Sequence, residues 1–306
     1  MTTFTDFSNI LPDPQNPVDN AGVSDPNSDS TIGGITSIKI KSKSENMSSR
    51  TNSGRLITAG VGKHSWDFDL SYNDMTREDF EPVQSFILHK KGRFSPFYFS
   101  MPSSKFTRNL IFGANLSVND NTFLKVQTPT INVTDLRPGQ EYKVIGTTGA
   151  TNWSSIGAPV SPNTNDIFTA TSVPAAGDGT IQATYVPAGT DSFIFTGATY
   201  NVSTNKTPEP GDFFVLEDSL EPLHTKLYRV NRIETSTNQQ TGAITLGTNE
   251  VRVHFTPSLR RNTYVNAYPN FLDPKPRVFL SSDVQEYRTN VDNLYSFSLK
   301  LEEAEK

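Results

Sequence analysis

The sequence predicts a mainly β protein: a discontinuous β-barrel or sandwich packed by one helix, at about 76–91, and carrying inserted small β domain(s). Three observations predict it. Apolar and polar residues alternate at period two in many short runs, the pattern of half-buried strands. Clusters of Gly, Pro, Asn and Asp separate those runs. Only one segment convincingly places its apolar side chains at helical spacing.

Composition narrows the class further. At roughly 150 residues per domain, 306 residues predict two domains. Charged residues make up 19%, against about 25% in ordinary globular chains, and hydrophobic residues 34%. Disorder is excluded as a general state, because the net charge is only -5 and aromatics reach 10%. No apolar run approaches a membrane span, and the polar start of the chain lacks the basic and apolar regions of a signal peptide. Zero cysteines exclude thiol nucleophiles, disulfides and thiolate-bound metals. The acidic balance argues against specific nucleic-acid binding.

In chain order, residues 1–34 read as an extended polar arm, broken by Pro14 and Pro17 and set against a merely disordered terminus. Ile38 and Ile40 then alternate with lysines, and Trp66, Phe68, Leu70 and Tyr72 alternate with Asp67, Asp69 and Ser71, giving two strands around a polar loop at 48–55. Phe80, Val83, Phe86 and Ile87 share one helical face. Thr76 or Asp74 can cap the start, and Gly92 can take the left-handed conformation that stops the helix. Phe97 and Phe99 follow in a strand whose start or edge position is marked by Pro96. Residues 107–271 read as a β-rich insertion, whose turn spacing allows two small units, about 136–188 and about 193–260. The second holds four runs that can close a small barrel or sheet, one of them 243–246. Tyr295, Phe297, Leu299 and Leu301 alternate again, so 272–306 is expected to complete the domain begun by 35–106.

Catalytic chemistry finds little to work with. His64 and His254 fall in strands, His89 near the helix end, and His224 in a loop without metal-ligand spacing to another histidine. Gly177-Asp-Gly-Thr180 lacks the lysine of a phosphate loop and the repeated acids of a calcium loop, so it reads as a turn. Glu302 with Glu303, and Asp67 with Asp69, read as the wet faces of strands rather than a glycosidase pair. No catalytic residue, metal or cofactor is expected. Lys39, Lys41 and Lys43 project from one strand face with Arg50 and Arg55 beyond them, a candidate contact between subunits set against a merely solvated strand face. Tyr142 and Trp153 are candidate sugar-stacking residues, set against the blander reading in which Trp153 is simply buried.

A resemblance adds a function. The run 49–55, the strand 66–72, Phe80 with Val83, Phe86-Ile87, Lys91-Gly92 and Phe97 resemble distal tail or tail-tip proteins of tailed bacteriophages, as do Asp283-Val-Gln-Glu-Tyr287 and the closing strand 293–301. Pro210-Gly-Asp-Phe-Phe214, Lys226-Leu-Tyr-Arg-Val230 and Phe255-Thr-Pro-Ser-Leu259 are similar to the inserted domain of those proteins. The stretch 142–153 with Asp166-Ile-Phe-Thr-Ala170 resembles a small β module of marine-phage and cyanophage virion proteins. The resemblance implies a non-enzymatic structural component, made in the host cytoplasm and placed in the virion tail. It would form a homo-oligomeric ring that joins tail tube to tail tip or baseplate hub, with other tail proteins as partners. The alternatives are a tail module whose insertion binds host-surface carbohydrate and, more remotely, a polysaccharide hydrolase.

Overall fold

A computed structural model describes residues 9–12, 35–101, 125–147, 151–196, 210–237, 246–248, 250–265, 267–271 and 274–304. In chain order these form β1 (Ile35–Arg50), β2 (Leu56–Tyr72), α1 (Arg77–Lys90), β3 (Phe97–Tyr98), β4 (Lys125–Gln127), β5 (Thr130–Asn132) and β6 (Glu141–Gly146). Then come β7 (Ile167–Thr169), β8 (Thr180–Ala183), β9 (Tyr185–Val186), β10 (Ser192–Thr196), β11 (Phe213–Glu217), β12 (Leu227–Thr235) and β13 (Glu250–Thr256). The last are β14 (Thr263–Tyr264), β15 (Tyr268–Asn270), β16 (Arg277–Leu280), β17 (Tyr287–Thr289) and β18 (Tyr295–Glu303). The fold is mainly β with one α-helix among the described residues, as the alternation requires. Among the described residues none of its antiparallel sheets closes into a barrel, which is consistent with the sandwich-like alternative.

The chain forms two compact units, the first made of Met1–Arg108, Thr225–Leu227 and Leu272–Lys306. Its sheet runs β1-β2-β18-β16-β3, with β17 also on β18. The last strand lies against the second, Ser298 opposite Ser71 and Glu302 opposite Asp67. Period-two alternation puts Phe68, Leu70, Leu299 and Leu301 on one buried face. Helix α1 covers part of that face. Phe80 stacks on Tyr295 at 4.7 Å and Phe86 meets Phe97 edge-on at 5.3 Å.

Thr76 is the N-cap of α1 and its hydroxyl donates to Asp79 Oδ2 at 2.8 Å, while Glu78 and Asp79 face the positive end of the helix dipole. The stop comes one residue earlier than Gly92: Lys91 is already left-handed at φ 53° and donates its N–H to the Leu88 carbonyl. Of the predicted arm, residues 9–12 lie alongside β3. Leu11 N–H donates to the Tyr98 carbonyl at 2.7 Å, Tyr98 N–H donates to that of Asn9 at 2.8 Å, and the Leu11 side chain is buried. The rest of the arm, 1–8 and 13–34, lies outside the described residues.

The second unit comprises Asn109–His224 and Tyr228–Phe271. One sheet runs β15-β11-β12-β13-β10-β4 over a core that includes Phe193, Phe195, Phe214, Tyr228, Val253 and Phe255. A four-stranded sheet, β5-β8-β6-β7, has its own core of Val133, Tyr142, Val144, Trp153, Ile156, Phe168 and Ile181. A short pair, β9 with β14, completes the strands. Of the strand expected at 243–246, only Leu246 is among the described residues.

Candidate functional site

The β1–β2 hairpin is the candidate assembly surface. Its strands of 16 and 17 residues far exceed the reach of their neighbour, because β18 pairs with β2 only over 67–71. Past Ser42 and Trp66 the two strands pair, among the described residues, only with each other. Residues 43–50 alone extend about 27 Å at ~3.4 Å per residue. Every residue of β1 from Lys41 onward is exposed. Met47, Leu56 and Ile57 put apolar side chains into solvent there at 70%, 55% and 51% exposure. Two-stranded ribbons are marginal in water on their own.

Pairing shifts between Glu45, opposite Lys63, and Asn46, opposite Gly60, so β2 carries two extra residues at that point. Such irregularities bend and twist a ribbon. The loop closes through Thr51 N–H on the Arg55 carbonyl at 3.0 Å, with Gly54 at φ 82° where a side chain would be strained.

The five predicted contact residues all lie on the β1–β2 hairpin and are exposed, with Lys43, Arg50 and Arg55 on the part past Ser42. Lys39, Lys41 and Lys43 share one face of β1. Lys41 is partly neutralised within the chain, its ammonium 2.6 Å from Asp69 Oδ2. Arg50 ends β1, and Arg55 follows the turn of the loop.

Tyr142 and Trp153 require a correction: they are core residues rather than sugar platforms. Tyr142 is 2% exposed, its hydroxyl accepts the Arg137 N–H at 2.8 Å, and burial raises its pKa despite that bond. Trp153 is 5% exposed and meets Phe168 edge-on at 6.4 Å. The Gly-Asp-Gly turn is built around this indole: a Cβ on Gly179 would lie 2.5 Å from Trp153 Cζ2. A ring enclosed this way offers no face to a ligand.

A buried polar cluster in the first unit escaped the sequence reading, which placed Glu303 on a wet face. Glu303 and Lys226 both have side chains at 0% exposure and form an ion pair and hydrogen bond through Oε2 and Nζ. Glu303 Oε1 also accepts the Leu227 N–H at 2.8 Å, and Oε2 the Trp66 N–H at 3.1 Å. Lys226 Nζ donates to the His64 carbonyl at 2.7 Å, and the Trp66 indole N–H to the Leu227 carbonyl at 2.8 Å.

Burial pushes the Glu303 carboxyl up to about 7, against the downward pull of Lys226 and of the two backbone donors. Burial, then the nearby Lys226 charge, lowers His64 to about 4, leaving a neutral imidazole at neutral pH. Its Nε2 meets Ser42 Oγ at 2.8 Å, while its buried Nδ1 has no hydrogen-bond partner. Strand parity is the signal that marks Glu303 as inward, since it continues the buried series Leu299, Leu301.

The remaining histidines have local roles. His224 is buried, Nε2 at 2.5 Å from the Tyr228 hydroxyl. His254 joins Arg232 and Arg252 around the buried carboxylate of Glu234. His89 is exposed in the last helical turn. No helix among the described residues is long and apolar enough to cross a membrane. No family model matches the chain, and no curated protein matches it.

Proposed function

We propose that the chain is a structural subunit of a bacteriophage tail, a distal-tail or baseplate-hub ring protein that joins tail tube to tail tip by assembling with copies of itself. The observation that carries this reading is the β1–β2 ribbon. A two-stranded arm with exposed apolar side chains and unsupported edges gains stability when it packs on another surface. The part beyond the support of β18, residues 42–65, carries Lys43, Arg50, Arg55 and Lys63 against Glu45, a net +3, whereas the whole chain carries -5. The remaining residues therefore total -8, and a second copy offers the opposite charge to the ribbon. The chain acts in this role without catalysis, and the phage setting rests on the sequence resemblance.

Electron microscopy and light scattering of the purified protein test the proposal. Closed rings are expected. A monomer at all accessible concentrations, with and without other tail proteins, would overturn it. Burial of Tyr142 and Trp153 leaves the carbohydrate-binding alternative without the two rings that suggested it.

A further inference from the structure

The enclosed Lys226–Glu303 pair brings an amine and a carboxyl together without solvent. We infer that the two side chains condense spontaneously into an isopeptide bond, joining Nζ of Lys226 to Cδ of Glu303 with loss of one water. The inference is independent of the tail reading and concerns covalent chemistry within the first unit.

Four features of the geometry carry it. Both side chains are at 0% exposure, so the nucleophile and the carboxyl are held together without competing solvent. The hydrogen bond between Nζ and Oε2 places the amine beside the carboxyl carbon. Two peptide N–H groups aim at the same carboxyl: Leu227 donates to Oε1, where negative charge develops on a tetrahedral intermediate, and Trp66 donates to Oε2 and fixes the plane of the group. Elsewhere around Nζ, the His64 carbonyl orients the amine at 2.7 Å without offering a competing electrophile. Burial disfavours the ionised carboxyl, so transfer of a proton from the ammonium to Glu303 yields an amine and a carboxylic acid, the reactive forms.

The step then balances. The Nζ lone pair forms the C–N bond, and Oε1 takes the negative charge under the Leu227 N–H. A second proton passes from nitrogen to Oε2, and the C–Oε2 bond breaks as water departs. One amide replaces one ammonium and one carboxylate, no electrons are exchanged, and two buried charges disappear. Residues 77 apart in sequence become covalently joined, in a chain with no cysteine to do so by disulfide.

Mass spectrometry of the full-length protein tests this, after folding has been verified by circular dichroism and the sample then denatured. The expected mass is one water below that of the same chain unreacted. The expected digest contains a branched peptide joining the Lys226 and Glu303 segments. Full mass in folded protein held for days at neutral pH would overturn the inference. So would a water loss mapped elsewhere, such as succinimide at Asp178-Gly179. Lys226→Arg should keep full mass and Glu303→Gln should lose ammonia instead of water. The wild-type measurement decides the matter even where a variant fails to fold.

Discussion

Glu303 and Trp153 show how a single residue type misleads when read without its strand. Two adjacent acids near a terminus look like surface charge, yet parity assigns Glu302 outward and Glu303 inward, where Lys226 meets it. What parity does not reveal is the partner, because Thr225–Leu227 reaches the first unit from the middle of the chain. Relative to the unreacted ion pair, Lys226→Met should therefore cost about 3–5 kcal/mol, since it strands a buried carboxyl without its cation. The loss should depend on pH with a definite sign. With the pair unreacted, burial raises Glu303 above its unfolded value even against the pull of Lys226, and removing that cation raises it further, so in the variant its contribution is intact below about 4.5 and is lost as pH rises above that value. Urea unfolding of the variant at pH 5 and pH 8 checks this; equal stability would show that Glu303 is not the buried acid of the fold. Gly179→Ala tests the other residue. Its Cβ would sit 2.5 Å from Trp153 Cζ2 and 2.7 Å from Cη2, an overpacking worth about 1–3 kcal/mol in the same assay.

At the scale of elements, much was legible because each signal was local. The spacing of Phe80, Val83, Phe86 and Ile87 gives the helix, and the alternation in 66–72 and 295–301 gives two strands that prove to be neighbours. The misses arose where tertiary contact overrode a local rule. Lys91, a poor left-handed residue, ends the helix, and Gly92 follows at φ 65° under Asp283, which accepts the Arg93 N–H at 2.9 Å. The glycine is thus needed for close approach as well as for its dihedral: a Cβ there would lie 2.3 Å from Asp283 Oδ1 and 2.9 Å from its Cα. Gly92→Ala should destabilise by about 2 kcal/mol or more, from a left-handed alanine together with displacement of that loop. A thermal melt unchanged from wild type would show that the loop at 283 yields freely. The pairing shift at Glu45 and Asn46 was invisible for a different reason, since period-two patterning fades where both faces of a ribbon are wet.

For the whole molecule, the sequence supplied the class of fold and the basic residues, while the extent of the unsupported ribbon needed the pairing of β18 to define it. The low apolar content has a physical cause in the assembly reading: a chain with few apolar residues can bury ribbon side chains such as Met47 and Ile57 between copies. That reading makes a specific electrostatic prediction. Arg50 and Arg55 are exposed, so neither contributes to the core, and Arg50→Glu with Arg55→Glu should leave the unfolding midpoint of the monomer unchanged. Association should instead weaken by roughly tenfold, because two attractions toward an acidic neighbour become repulsions. The deficit should be largest near 0.01 M salt, where charges act over ~30 Å, and should shrink toward 1 M, where they act over ~3 Å. Sedimentation velocity across that salt range distinguishes the outcomes. Wild-type association by the double variant at low salt would remove the ribbon's arginines from the interface, whereas an equal deficit at every salt would mean that they act through shape rather than charge.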